Sequence, residues 1–296
     1  MVIAYVDGSF EKSIGREVWR KILRKDKQMI DLQHAKEAFE RYLDGYDREN
    51  DKVKLKIVHT YGVVECSRKI AEGLKLSEED RRLAEIIGLL HDIGRFEQLK
   101  RYDSFEPGTM DHASFGVEIL FEEGMIRQFV KEDTWDGIIR TAIARHSDYC
   151  LDGIRDEREL LHARIIRDAD KLDNCRVKLE DSVEAMLGVS AEEVGRTKIT
   201  PEIMQQFEAQ MSVRSETRKT KMDYWMSYLA YFYDINFNVT YEMIEENHFV
   251  DKLVKRIPYE DPETAETMEK VRQELNTYIH TRAQEELKQP MQIDCK

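Results

Sequence analysis

No run of about 18 apolar residues occurs in the chain, so no segment reads as a membrane-spanning helix. The opening stretch, Met1 to Phe10, lacks a basic region followed by an apolar one, so no signal peptide is expected. The four cysteines, Cys66, Cys150, Cys175 and Cys295, are scattered and never form Cys-x-x-Cys. That spacing argues against a disulfide framework and a thiolate zinc site, and for a reducing, cytoplasmic setting. Only 5 prolines and 14 glycines occur among 296 residues, which makes low-complexity disorder, collagen and a turn-rich β-sandwich poor readings. Cationic charge is also short. Lys and Arg number 46 against 59 Asp and Glu, a net charge of −13. A nucleic-acid backbone rewards basic surfaces, so nucleic acid is not an expected partner. A small anion held by a metal or by local arginines remains compatible with this balance.

What is present is helical. Hydrophobic residues make up 41% and charged residues 35%, which suits a globular chain long enough for one large or two modest domains. Residues 2–6 read as one short strand. Beyond them the apolar spacing is 3 and 4 rather than 2, which predicts an all-α protein. Helices are expected over 28–43, 50–73, 77–91, 111–122, 134–146 and 156–180. Ser77 reads as an N-cap with acids behind it, and Thr134 as another. Gly94 reads as the end of the 77–91 helix. Thr200-Pro201-Glu202 and Asp261-Pro262-Glu263 put proline at the first helical position of two further helices. The last, about 25 residues long, carries charge on most faces and reads as solvated, with pairing in a homo-oligomer as a candidate role. Periodicity fades over 187–200, the softest boundary. The aromatic segment from Tyr224 to Tyr233 has helical spacing and reads as packing.

Several polar residues stand where this periodicity calls for apolar ones. His59 continues Leu55, Val63, Cys66 and Ile70, and His91 extends Ala84, Ile87 and Gly88. His112 begins the stripe of Phe115 and Ile119, and His146 ends that of Ile139, Ala142 and Ile143. Asp170 follows Ala163 and Ile166, and Asp92 stands behind the apolar run from Ile86 to Leu90. A buried polar group costs several kcal/mol unless it is paired. A lone buried histidine is ordinarily a hydrogen-bonded structural residue. Six imidazoles and carboxylates on the inner faces of successive helices instead call for a cation between them, and a metal takes such ligands. His34, His248 and His280 read as surface residues. His162 lies two turns before Asp170 and is a weaker candidate for lining the pocket.

The segment Leu89-Leu90-His91-Asp92-Ile93-Gly94-Arg95 resembles the signature of the HD superfamily of metal-dependent phosphohydrolases. The remaining pattern follows in order: Val58-His59-Thr60, Asp111-His112 with Gly116, Arg145-His146-Ser147, and Asp168-Ala169-Asp170-Lys171-Leu172-Asp173. The resemblance covers about 50–180. It implies a helical HD bundle over 50–187; the periodicity adds an N-terminal helical extension over 1–49 and a C-terminal helical region over 188–296 packed on the bundle. It implies His59, His91, Asp92 and Asp170 as ligands of one metal, with His112 and His146 adding a second ion and Asp92 bridging. The ligand types suit two divalent ions of Fe, Mn, Zn or Ni.

The activity implied is hydrolysis of a phosphoester or phosphoanhydride in a small phosphorylated metabolite or nucleotide. The same ligand order is found in di-iron oxygenases of this fold, and a regulatory module with little turnover is the third reading. The chain departs from the cyclic-di-GMP phosphodiesterase pattern. Arg95 stands for lysine, Arg145-His146-Ser147-Asp148 for His-His-Glu, and Gly-Tyr-Pro is missing. Arg95-Phe96 also replaces the Glu-Asp of the guanosine-tetraphosphate hydrolases. Arg95 and Arg145, flanking ligand positions, are candidates for holding a substrate phosphate. Lys171 is a further candidate, and Asp168 and Asp173 are candidates for orienting ligand imidazoles.

Overall fold

The structure, a computed structural model, describes residues 30–105 and 108–285. The strand expected over 2–6 lies outside them. No strand occurs among the described residues, and the chain is all-α. None of these helices is long and apolar enough to cross a membrane.

Polar caps set most helix starts. Helix α1 (Leu32–Leu43) begins where Asp31 accepts from the His34 amide. Helix α2 (Asp51–Gly73) is capped by Asn50, and α3 (Glu78–Leu90) by Ser77, with three acids in its first turn. Each cap satisfies an amide that no helical carbonyl can reach. Helix α4 (Ile93–Tyr102) departs from expectation, because Gly94 lies inside it and does not end α3. There follow α5 (His112–Val117), continued by a wider π turn at Glu118–Glu122, and then α6 (Ile126–Phe129) and α7 (Asp136–Arg145). The N-cap of α7 is Trp135, which makes no side-chain capping bond, so Thr134 does not take the role expected of it. Helix α8 (Glu157–Glu180) starts at Asp156, which caps two amides.

The C-terminal region comprises α9 (Val183–Leu187), α10 (Ala191–Arg196), α11 (Pro201–Glu208), α12 (Lys221–Ala230), α13 (Asn238–Glu246), α14 (Phe249–Lys255) and α15 (Pro262–Gln284). Both Pro-headed helices start where expected. The final helix is not solvated on all sides. Met268, Val271, Leu275 and Ile279 form a buried stripe at 3/4 spacing, packed mainly against α13.

Two hydrophobic cores result. One gathers α1–α7 with Ile165, Ile166 and Ala169 of α8. The other gathers α9–α15 with Leu172 and Cys175 of the same helix. Helix α8 therefore runs through both, and Asp170 sits where one core gives way to the other. Asp168, fully buried there, accepts from the Asn236 and Phe237 amides, the Asn236 side chain and the Thr240 hydroxyl. It thereby anchors the start of α13 instead of orienting an imidazole. Cys66 and Cys175 are free thiols, whereas Cys150 is disulfide-bonded, a departure from the all-reduced reading of the sequence.

Candidate metal centre

Helix ends deliver most of the site. His91 closes α3, Asp92 opens α4, His112 is the first residue of α5, and His146 closes α7. His59 and Asp170 project from the middles of α2 and α8, which pack against each other. An aspartate at a helix start ordinarily caps its own amides. Asp92 makes no such bond, and its carboxylate faces the histidines instead.

All six residues converge. The donor atoms of His59, His91 and Asp170 lie within 4.8 Å of one another, and so do those of Asp92, His112 and His146. Asp92 stands between the two groups. Its Oδ2 is 3.4 Å from His91 Nε2, and its Oδ1 is 3.4 Å from His112 Nε2 and 3.6 Å from His146 Nε2.

Glycines permit the approach. A Cβ on Gly94 would lie 2.3 Å from the His112 carbonyl oxygen and 2.8 Å from the Gly116 nitrogen. The glycine thus lets α4 meet α5 backbone to backbone, bringing His112 to Asp92. A Cβ on Gly62 would lie 2.0 Å from Asp173 Oδ1, so Gly62 makes room for that carboxylate beside His59.

Neighbours fix the rings. Asp173 Oδ2 lies 2.7 Å from His59 Nδ1, and the carbonyls of Gly88 and Ile143 lie 2.8 and 2.7 Å from Nδ1 of His91 and His146. A carbonyl can only accept, so the latter two rings carry their proton on Nδ1 and turn a lone pair on Nε2 inward. His91 Nε2 and Asp92 Oδ1 are buried and make no hydrogen bond. His146 Nε2 lies 3.1 Å from His112 Nε2. Inward lone pairs and unbonded carboxylate oxygen are a donor set that fits a divalent cation.

The electrostatics agree. Burial pushes the Asp92 carboxyl up, but the paired Lys56 ammonium leads the opposing effects, which hold the group well below the usual carboxylate range. Asp170 is likewise lowered against its burial by the His59 hydrogen bond. Burial drops His112 to about 2, so its ring is the neutral, ligating form.

Of the other expected site residues, Arg95 reaches the cluster. Its Nε is 3.6 Å from Asp92 Oδ1 while Gln98 Oε1 holds its Nη1 at 2.7 Å. Arg145 does not reach it. It pairs with Asp148 and Asp152 and lines a surface depression that contains none of the six clustered residues. Lys171 pairs with Asp234 at 2.7 Å, beside Arg167. His162 is buried, but its Nε2 meets Asp80 of α3 at 3.2 Å, away from the cluster. The sequence reading passed over Lys56, whose ammonium pairs with Asp92 Oδ2 at 2.5 Å. Its signal was present: it stands one helical turn before His59, on the inward face of α2.

Residues 57–175 match the family model described as HD domain. No curated protein and no solved structure matches the chain. Residues 57–175 are thus an HD domain, the family whose signature the sequence resembles.

Proposed function

We propose that this chain hydrolyses a phosphoester or phosphoanhydride bond of a small phosphorylated molecule, using two divalent cations held by the six clustered residues. The observation that supports it best is Asp92, one buried carboxylate with its two oxygens turned to two separate groups of donors. In such a site a divalent cation polarises a phosphoryl oxygen and lowers the pKa of water.

The protein's own groups divide the remaining work. Asp173 and the Gly88 and Ile143 carbonyls orient ligand rings. Arg95 and Lys56 border the cluster with guanidinium and ammonium groups suited to phosphate oxygens. Burial of the histidines excludes bulk water and strengthens each of these attractions.

The test is elemental analysis of the purified protein followed by a panel of phosphoesters with Mn, Fe, Zn and Ni. About two ions per chain and metal-dependent phosphate release are expected. Oxygen uptake by the iron-loaded protein with no phosphate released would replace this reading with the oxygenase one.

A further inference from the structure

Lys178 is an unusual lysine. Its residue is only 8% exposed, yet no carboxylate pairs with it among the described residues. Its ammonium donates to Asn174 Oδ1 at 3.1 Å and lies over the Tyr228 ring, 4.0 Å from the centroid. A buried ammonium has three donors to satisfy and a large desolvation cost to recover. One amide oxygen and a ring face recover part of it. An anion would recover the rest.

Its position joins it to the metal centre. Asp170, Asn174 and Lys178 follow at intervals of four on one face of α8. Asn174 donates to Asp170 Oδ1 at 2.8 Å and accepts from Lys178, so the three form one connected row. Helical side chains lean toward the N-terminus, which carries the ammonium back along the row toward Asp170. Lys178 lies within electrostatic reach of both Asp170 and Lys56.

A second group comes from the C-terminal region. Tyr231 follows α12, is half-buried, and its ring is tilted against that of Tyr228 with centroids 6.2 Å apart. Its hydroxyl makes no hydrogen bond among the described residues, and it lies within electrostatic reach of Arg218, Asp170, Asp234 and Arg95. A cation and a hydroxyl, both with unused donors, thus lie next to the same Tyr228 ring beside the HD cluster.

We propose that Lys178 and Tyr231 form a second phosphate subsite beside the metal centre, and that the substrate is a small molecule carrying two phosphates, one cleaved at the centre and one held here. This specificity rests on the hydrolase reading above, whereas the subsite itself does not.

The probes are propane-1,3-diphosphonate and propylphosphonate, whose C–P bonds resist hydrolysis. Binding to the full-length, metal-loaded protein is measured by calorimetry, with metal content checked by elemental analysis afterwards. A charged hydrogen bond is worth about tenfold or more in affinity, so the diphosphonate should bind at least that much tighter than the monophosphonate. Lys178→Met should abolish the preference while leaving the monophosphonate affinity and metal content unchanged. Lys178→Arg should retain most of it, and Tyr231→Phe should reduce it severalfold. An unchanged preference in Lys178→Met overturns the subsite. So does equal loss of both ligands, which would mark Lys178 as structural. If Lys178→Met does not fold, an undiminished preference in Tyr231→Phe overturns it. A diphosphonate preference without turnover of any phosphoester would sink the hydrolase reading and leave the subsite standing. Turnover without the preference would do the reverse.

Discussion

Asp92 and His112 differ in what each can do alone, and that difference is testable. Asp92 faces both donor groups, whereas His112 belongs to one. Asp92→Asn should therefore cut metal-dependent activity further than His112→Ala, by about tenfold or more if each lost contact is worth 1–2 kcal/mol. Steady-state rates on folded protein decide it, and equal residual rates would remove Asp92 from its bridging place. Lys56 and Arg145 show what single residues hide. A lysine in a helix reads as exposed unless its face is known, and Lys56 shares the inward face with His59. Arg145 and Lys171 are each one residue from a clustered side chain. One residue of helix turns a side chain by about 100°, so both point elsewhere, toward Asp148 and Asp234. Adjacency in sequence was the wrong guide. Helical face was the right one, and it is why the six clustered histidines and aspartates were legible as breaks in apolar stripes.

The junctions between helices carry the next set of consequences. Gly94 reads in sequence as a stop signal, because glycine punctuates helices, but its role is contact between α4 and α5. Gly94→Ala should force the two helices apart, cost about 1–3 kcal/mol and loosen His112. A chemical denaturation midpoint equal to wild type would contradict that packing. Helix α3 is tied to α8 by Asp80, which meets His162 and Arg158. The His162 hydrogen bond is the largest cause of a lowered Asp80 pKa, with burial opposing it and Ser77 and Arg158 assisting. A carboxylate whose folded pKa lies below its unfolded value of about 4 stabilises the fold above that pH and loses the contribution as pH falls toward the folded value. Asp80→Asn should thus be less stable than wild type near neutrality, with the gap closing in acid. A gap independent of pH between 7 and 2 would show that the charge of Asp80 is not what joins the helices. The Ser77 cap was legible because capping is local chemistry, whereas Thr134 stands one residue before Trp135, the N-cap of α7. The apolar stripe of α15 was masked by the charged residues on its other faces.

Across the molecule, α8 is the common member of both cores, and the candidate metal centre lies against it where they meet. The clustered residues are drawn from α2, the α3–α4 junction, α5, α7 and α8, so cations held there would cross-link most of the first core and its bridge to the second. Without cations, Asp92 and Asp170 remain as neighbouring acids, with the Lys56 ammonium beside Asp92 and the His59 ring hydrogen-bonded to Asp170. A ligand that binds only the native state stabilises it by RT ln(1 + [L]/Kd), about 2.7 kcal/mol at a hundredfold excess over Kd. For a chain of this size that corresponds to a melting temperature about 4 °C higher. Chelation should lower the melt by that amount and added metal should restore it. The difference should shrink as pH falls toward about 5, because protons compete with metal for the imidazoles. Thermal melts with and without chelator, with metal loss confirmed by elemental analysis, provide the measurement. Superimposable melts after complete metal loss would mean that the buried histidines and aspartates satisfy one another unaided, and that no cation is part of the fold's stability.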